Sequence, residues 1–585
     1  MADTADSRAR DHAAPKDAGR GPRPGPGVQD APDAGALDLL LTEAGRSSVA
    51  RFLPGLEAVR LAAGLARRPG AVLSRSSTLV EELVRITVGR SQMGPERGDR
   101  RFQDPGWSEN PIFQRLLQTY LVTGQTVNGL IDDAELEWSD DRKVRFVAGN
   151  MVDALAPTNF AWSNPEVLKR TVEAGGLNFV KGARRFARDV SRPPRLPANV
   201  NVDEFALGRN IALSPGAVVV RDERFELIQY QATRSEVREV PLLIVPPMIN
   251  KFYIADLAPG RSLIEYLVSR GQQVFTISWR NPDERHRDWG LDSYAGAVID
   301  ALDAIADITD VPRAHMIGNC AGGMLASTVA SHFADVGERD RLASLTLGVC
   351  VIDNERSNVV NSFATERSAK LAKLASSRKG YLDGRDLASV FLWLRPNELI
   401  WPYVVNNWLL GKDPPAFDIL YWNADTTRMP AALHREFLTI ATENSLREPG
   451  AVTVLGSPVV LSRITADSYL VAGIADHITP WQNCYRTTQL LGGTKRFVLS
   501  NSGHIAAIVN PPTNKRANYR TADTLTPPSA EQWLSETTLS DGTWWADWDA
   551  WLAERSGDVR PAPAQLGSGA YKVLGEAPGE YARQT

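Results

Sequence analysis

The stretch that most constrains this chain is Ala314-His315-Met316-Ile317-Gly318-Asn319-Cys320-Ala321-Gly322-Gly323-Met324-Leu325-Ala326: a short apolar run, a turn of small residues, then a helical pattern. The turn has the form G-x-C-x-G, with Cys320 where a G-x-S-x-G elbow carries its serine. An elbow holds its nucleophile in a strained conformation while strand and helix pass close together. Gly318, Ala321 and Gly322 are what that crowding permits. The N–H of Ala321 then falls at a helix start, where donors without an intrahelical acceptor are free to bind an oxyanion. Taken alone, the stretch fits equally well a glycine-rich turn around an inert cysteine, since free cysteine is among the most buried residue types.

A chain of 585 residues has the length for two or more domains and a large core. A net charge of -4 and a pI of about 6.1 carry no nucleic-acid footprint. Three cysteines, Cys320, Cys350 and Cys484, exclude a disulfide framework and fit a reducing cytoplasm. No Cys/His cluster has metal-ligand spacing, so neither a metal nor a cofactor is expected. No apolar run approaches the ~18 residues of a membrane span, and Met1-Ala2-Asp3-Thr4-Ala5-Asp6 opens no signal-peptide core.

Residues 1–35, rich in Ala, Asp, Arg, Gly and Pro, read as a disordered tail. Residues 36–200 read as a helical N-terminal domain. Phe52, Leu56, Val59 and Ala63 share one helical face, and Phe113, Leu116, Leu117 and Tyr120 another. Arg51, Arg60, Arg67 and Arg68 make the first helix basic, compatible with an interfacial helix; an ordinary packed helix is the reading favoured here. Pro193-Pro194-Arg195-Leu196-Pro197 marks a boundary.

Over 201–585 the period changes. Eight β-rich runs appear, at Ala217–Val220, Phe225–Gln231, Leu242–Val245, Val274–Ser278, Ala314–Ile317, Leu345–Val351, Tyr469–Ala472 and Arg496–Leu499, with helical patterns between most of them. Alternation of this kind predicts an α/β fold with a mostly parallel sheet covered on both faces, and an elbow after the fifth run is the α/β-hydrolase arrangement. The segment at about 354–465 separates the sixth and seventh runs. It predicts a cap insertion over the site, with Trp393, Trp401, Trp408 and Trp422 as an apolar lining or as plain core aromatics.

In such folds the triad runs nucleophile, acid, histidine. Asp476 follows the seventh run and His504 the eighth, in that order behind Cys320. His504 is the expected base for the Cys320 thiol, and Asp476 its orienting partner. A second oxyanion donor is expected from the loop after the third run, at Ile249; each donor contributes roughly 3 kcal/mol to lowering the barrier. His477 is a rival base or a pocket residue. His286, His315, His332 and His434 read as structural or surface residues, Cys350 as a buried strand residue near the site, and Cys484 as packing. A cysteine exchanges with a thioester at little cost, and its acyl thioester is attacked downhill by an alcohol. The elbow therefore suits acyl transfer from a coenzyme A thioester to a hydroxyl if water is excluded. A Cys-dependent thioesterase or a polyester or lactone hydrolase shares the same triad.

Longer stretches carry a resemblance: VPPMINKFYIADLAPGRSL from Val245, SWRNPDERHRDWGL from Ser278, LRPNELIWPYVVNNWLLG from Leu394, GIADHITPW from Gly473 and LSNSGHIAAIVNPP from Leu499. With these the chain, from roughly Asp104 onward, resembles the single-subunit polyhydroxyalkanoate synthases (class I/II), which polymerise 3-hydroxyacyl-CoA into storage polyester. The resemblance implies Cys320 as acyl carrier, with His504 and Asp476 activating the thiol and the incoming 3-hydroxyl. It offers Arg395 as a contact for coenzyme A, or else a cap salt bridge, with His477 nearby. Asp256 fits a family position with no firm role. Much of the cap resembles the medium-chain members, whereas Ala506, two residues after His504, matches the short-chain pattern; short-chain units with some medium-chain tolerance are expected. The resemblance also implies a homodimer, a growing polyester chain as partner, association with cytoplasmic granules and phasin-type partners.

Overall fold

The computed structural model describes residues 55–96, 99–354, 366–476, 478–522 and 529–585. The expected tail at 1–35, together with Arg51 and Phe52, lies outside these residues.

An eleven-stranded sheet organises the molecule. Its strands are β1 (Gly216–Arg221), β2 (Phe225–Tyr230), β3 (Leu242–Val245), β4 (Val274–Trp279), β5 (Ala314–Asn319), β6 (Leu342–Gly348), β7 (Ser468–Gly473), β8 (Lys495–Ser500), β9 (Asn518–Thr521), β10 (Thr538–Asp541) and β11 (Gly575–Glu576). The spatial order is β10-β9-β8-β7-β6-β5-β3-β4-β2-β1-β11. Pairing is parallel from β4 through β3, β5, β6 and β7 to β8, and antiparallel at both flanks. The central strands β3, β4 and β5 are buried at every position, because helices cover both faces.

The eight runs coincide with β1 to β8, while the expected count of eight strands is corrected to eleven. The additions lie at the two margins of the sheet, β9 and β10 beyond β8 and β11 beyond β1. Asn-Tyr-Arg-Thr and Thr-Leu-Ser-Asp lack an apolar face, and β11 has two residues. The sixth run also overshoots: β6 ends at Gly348, and the apolar Val349, Cys350 and Val351 belong to the buried turn beyond it.

On one face pack the helices Leu291–Thr309, Ala321–Val336 and Trp481–Leu490. On the other pack Leu263–Ser269 and Trp544–Ala553, whose Trp544, Trp545, Trp548 and Trp551 are all buried. Between β6 and β7 lie the cap helices, including Gly384–Leu394, Asp418–Ala424 and Ala431–Glu443 and a π-helical turn, Val404–Leu409.

The N-terminal helices Leu56–Ala66, Pro69–Thr87, Pro111–Asp133, Trp138–Ala154, Pro165–Glu173 and Leu177–Val190 precede the sheet. The first helix packs on its neighbours, as favoured, but not through its apolar face. Leu56 and Val59 are 70% and 65% exposed, and contact is made instead through Gly64, where an added Cβ would stand 3.3 Å from that of Ala134. On the longer helix, Phe113, Leu117 and Tyr120 join Phe102 and Trp107 in a small core, while Leu116 faces out. Helix Leu177–Val190 meets the cap. Asn178 Nδ2 donates to Leu409 O at 2.8 Å, Trp408 Nε1 donates to Asp189 Oδ2 at 2.8 Å, and Phe186 stacks edge-on to Trp408. Among the described residues, no helix is long and apolar enough to cross a membrane.

Candidate active site

Cys320 stands between β5 and helix Ala321–Val336 at φ 49°, ψ -122°, a conformation L-residues rarely adopt. The glycines around it are obligatory. A Cβ on Gly318 would lie 2.6 Å from Gly323 Cα, and one on Gly322 would lie 2.8 Å from Pro246 C. A Cβ on Gly323 would meet Cys350 Sγ at 2.8 Å. The Cys320 N–H donates to Gly348 O at 2.8 Å, which pins the elbow to the end of β6. The small residues at this turn are therefore there for close approach, as the elbow pattern predicts.

The turns after β7 and β8 lie side by side. Ile474 N donates to Ser500 O at 2.8 Å and Ala475 N to Ser502 O at 3.1 Å. This brings Asp476 Oδ2 within 2.7 Å of His504 Nδ1. Asp476 is held by its own loop: Oδ1 accepts from Ile478 N at 2.8 Å and Thr479 N at 2.9 Å, and Oδ2 accepts from Thr479 Oγ1 at 2.6 Å. Burial opposes ionisation of Asp476, but His504 and the Thr479 donors outweigh it and hold the carboxyl below its ordinary range. Burial likewise would lower the His504 pKa; the Asp476 carboxylate, and Cys320 as hydrogen-bond partner of the ring, carry it up to about 10. The arrangement favours a protonated His504 ring beside the Asp476 carboxylate. Burial pushes the Cys350 and Cys484 thiols well above their usual value, with a smaller push from Cys320 on the first and from Asp476 on the second, so both stay protonated.

The other predicted residues are placed unevenly. Ala321 heads the elbow helix, where its N–H has no intrahelical acceptor. Ile249 lies on the loop that crosses over Gly322, and among the described residues no backbone acceptor takes its N–H. Arg395 pairs with Glu398 on the cap and stays 45% exposed, so the structure shows the salt bridge and leaves the guanidinium reachable. Ala506 is exposed on the short helix His504–Ile508; the residue that packs against Cys320 is its neighbour Ala507, with Val349 and Ile508. His477 lies outside the described residues. Asp256 is buried and accepts hydrogen bonds from Ser214 N and Oγ and from Ser262 Oγ, a loop-tying role away from Cys320. His315 is a core residue between Ser344 and Ser556, and burial pushes it down to about 3.

Sequence reasoning missed three groups of residues. Thr479 orients Asp476, a role that the Asp476–Thr479 spacing could have suggested as an Asx-type turn. Val349, at φ 43°, is a second strained residue beside Cys320, and nothing in a run of apolar residues signals it. Trp544 Nε1 donates to Ala507 O at 2.6 Å and Trp545 Nε1 to Ile508 O at 3.2 Å, so the tryptophan helix props the His504 turn from behind. A cavity of about 490 Å³ opens at the seam of helix Leu177–Val190 and the cap, and Cys320, Asp476 and His504 are not among the residues lining it.

The strand order and the cysteine elbow define an enzyme of the α/β-hydrolase fold. The family model described as "alpha/beta hydrolase fold" matches residues 242–511, and that described as "Poly-beta-hydroxybutyrate polymerase (PhaC) N-terminus" matches residues 98–267. The chain is 44% identical to poly(3-hydroxyalkanoate) polymerase 1 of Ectopseudomonas oleovorans, over 86% of this chain and 89% of that one. Polymerase 2 of the same organism is 42% identical, over 86% and 89%. The poly(3-hydroxyalkanoate) polymerase subunit PhaC of Cupriavidus necator is 35% identical, over 93% of each chain. The chain therefore belongs to the poly(3-hydroxyalkanoate) polymerase family and is an acyltransferase.

Proposed function

We propose that this chain polymerises (R)-3-hydroxyacyl-CoA into polyester with release of CoA, through an acyl thioester on Cys320. The reading is carried by the hydrogen-bonded sequence Cys320–His504–Asp476 set on a strained elbow. His504 takes the Cys320 proton, and the thiolate attacks the substrate thioester carbonyl. The oxyanion that forms is met by the N–H groups of Ala321 and Ile249. The C–S bond to CoA breaks, and His504 returns its proton to the departing sulfur. A 3-hydroxyl then gives its proton to His504 and attacks an acyl thioester, forming the ester bond and releasing the sulfur. Asp476 holds the imidazole tautomer and stabilises each imidazolium.

The exposed Arg395 is a candidate contact for the phosphates of CoA, joined by His477. Short-chain units are favoured. The wall against Cys320 is Val349, Ala507 and Ile508, and Ala506 keeps the short-chain pattern of the sequence. The domains are a helical N-terminal domain at 36–200 and a catalytic domain at 201–585 with a cap at about 354–465. The exposed Leu56, Val59, Leu73, Val80 and Val84 of the first helices support attachment to the apolar surface of a storage granule. A homodimer and phasin-type partners complete the proposal.

Purified protein is incubated with 3-hydroxybutyryl-CoA and, separately, 3-hydroxyoctanoyl-CoA, beside Cys320→Ala. CoA release with insoluble polyester, faster with the four-carbon substrate and absent in the variant, is expected. Release of CoA with only soluble 3-hydroxy acid would replace the polymerase reading with a thioesterase.

A further inference from the structure

The loop between β3 and the 3-10 turn Phe252–Ala255 carries Ile249 across the elbow, and its far end is Lys251. Lys251 is unusual in two ways. It is 3% exposed, although lysine is almost never fully buried without a partner. Its ammonium is also solvated by main-chain carbonyls from a segment more than three hundred residues away: Nζ donates to Tyr581 O at 3.1 Å and to Gln584 O. Burial depresses the Lys251 pKa, with Arg428 adding to the effect and Asp425 opposing it.

The distant segment is itself fixed. Tyr581 N donates to Glu226 Oε2 at 2.9 Å and Tyr581 OH to Asp222 O at 2.7 Å. Gln584 Oε1 accepts from Asn281 N at 3.0 Å, and β11 just upstream pairs with β1. The main chain of the loop is held from the opposite side by the cap: Trp422 Nε1 donates to Lys251 O at 2.8 Å, and Thr427 N donates to Ile249 O at 3.2 Å. The loop thus has no regular structure of its own where the oxyanion donor sits. It is strung between the cap, which grips its carbonyls, and the 581–584 segment, which grips the Lys251 side chain.

We propose that Lys251, anchored on the carbonyls of Tyr581 and Gln584, is a positioning residue that sets the Ile249 N–H at the oxyanion site. The assignment rests on the acyl-transfer reading above. It gives the 575–584 segment a part in catalysis although that segment contributes no side chain to the Cys320–His504–Asp476 set. A buried ammonium shared between two carbonyls fixes distance in a way that an apolar side chain of the same length does not, since each N–H···O bond is directional. Oxyanion donors act only when placed within a few tenths of an ångström of the developing charge, so a loosened loop costs rate without costing the nucleophile.

Two reactions of Cys320 separate these effects. Alkylation by iodoacetamide needs the thiolate and forms no oxyanion. The burst of p-nitrophenol from p-nitrophenyl acetate needs both. Each is measured on the full chain, on Lys251→Met and on a chain stopped after Gly579, with Cys320→Ala as blank, and CoA release from 3-hydroxybutyryl-CoA is followed in parallel. The burst rate is expected to fall about 10-fold or more in both altered chains, with the CoA-release rate following it in kcat more than in KM, while alkylation stays within about twofold. Equal burst rates in all three chains would overturn the assignment. Parallel loss of burst and alkylation, or loss of soluble protein in both altered chains, would also overturn it, because Lys251 would then hold the fold instead of the donor. A wild-type burst without CoA release would sink the polymerase reading alone, and the comparison of the altered chains would still decide the role of Lys251. A wild-type chain that is alkylated but acylated by neither ester nor thioester would overturn both.

Discussion

Asp476 Oδ2 accepts hydrogen bonds from His504 Nδ1 at 2.7 Å and from Thr479 Oγ1 at 2.6 Å, so a single oxygen is shared between the His504 ring and the Thr479 hydroxyl. An acid held this tightly fixes one tautomer of His504. Asp476→Asn preserves the shape but offers an amide to a ring nitrogen that must remain a donor. Cys320 acylation is expected to fall about 100-fold or more with little change in Tm. Thr479→Val, which leaves the carboxylate in place, should lose about 10-fold or less. Single-turnover CoA release in rapid mixing measures both.

The stability of the site depends on pH with a definite sign. The folded-state pKa of His504 is raised from 6.5 to about 10, so protonated His504 favours the folded chain. This contribution is complete below about pH 6.5, declines as pH rises, and is gone above about pH 10. The Tm difference between wild type and His504→Gln should therefore be greatest near pH 6 and shrink steadily toward pH 10. A difference that grows with pH would contradict the assignment of the charge.

At the elbow, Gly322→Ala places a methyl group 2.8 Å from the carbonyl carbon of Pro246, which is main chain and has no rotamer to change. Overpacking of this kind costs about 1–3 kcal/mol, and here it also pushes on the loop that bears Ile249. Reduced soluble yield and a lowered Tm are expected, with slower acylation in whatever protein survives. Gly337→Ala, at a position with open space around it, controls for the loss of glycine flexibility, although its φ of 84° brings a modest strain of its own.

Trp544→Phe keeps the aromatic packing of the last helix on the sheet and removes one donor, leaving the Ala507 carbonyl buried and unpaired. The expected cost is about 1–3 kcal/mol. Because that carbonyl belongs to the His504 turn, acylation should fall more than the change in Tm alone suggests. Trp548→Phe, whose indole donates to Thr346 at 3.0 Å, should lower Tm comparably without touching acylation. Calorimetry and the p-nitrophenyl acetate burst together distinguish the two.

Much of the fold and of the candidate site is legible in the amino-acid sequence, and for a physical reason. A parallel strand buried on both faces must be apolar throughout, so Leu242–Val245 is bounded alike in sequence and structure. The elbow is legible because Gly318 and Gly322 have no substitute. What escapes is whatever lacks a compositional signature. Strands β9 and β10 lie at the margin of the sheet with polar residues on both sides, and Val349 continues an apolar run although the strand has ended. The helix at Leu56–Ala66 shows the opposite failure: periodicity tells which face is apolar but not what covers it, and there the covered face is the one with Gly64. Lys251 reads in sequence as one more residue of a loop, since its partners lie at 581 and 584.

The joint between Gly182 and Trp408 has a mechanical meaning. A Cβ on Gly182 would lie 2.7 Å from the carbonyl carbon of Trp408, so the two main chains already touch, and Asn178 and Asp189 bolt the same turn on either side. A hinge needs slack, and this joint has none. The part of the cap at Val404–Leu409 and the last N-terminal helix travel together. A load taken by the outer helix is therefore handed to the cap turn without loss, and neither element can be displaced alone.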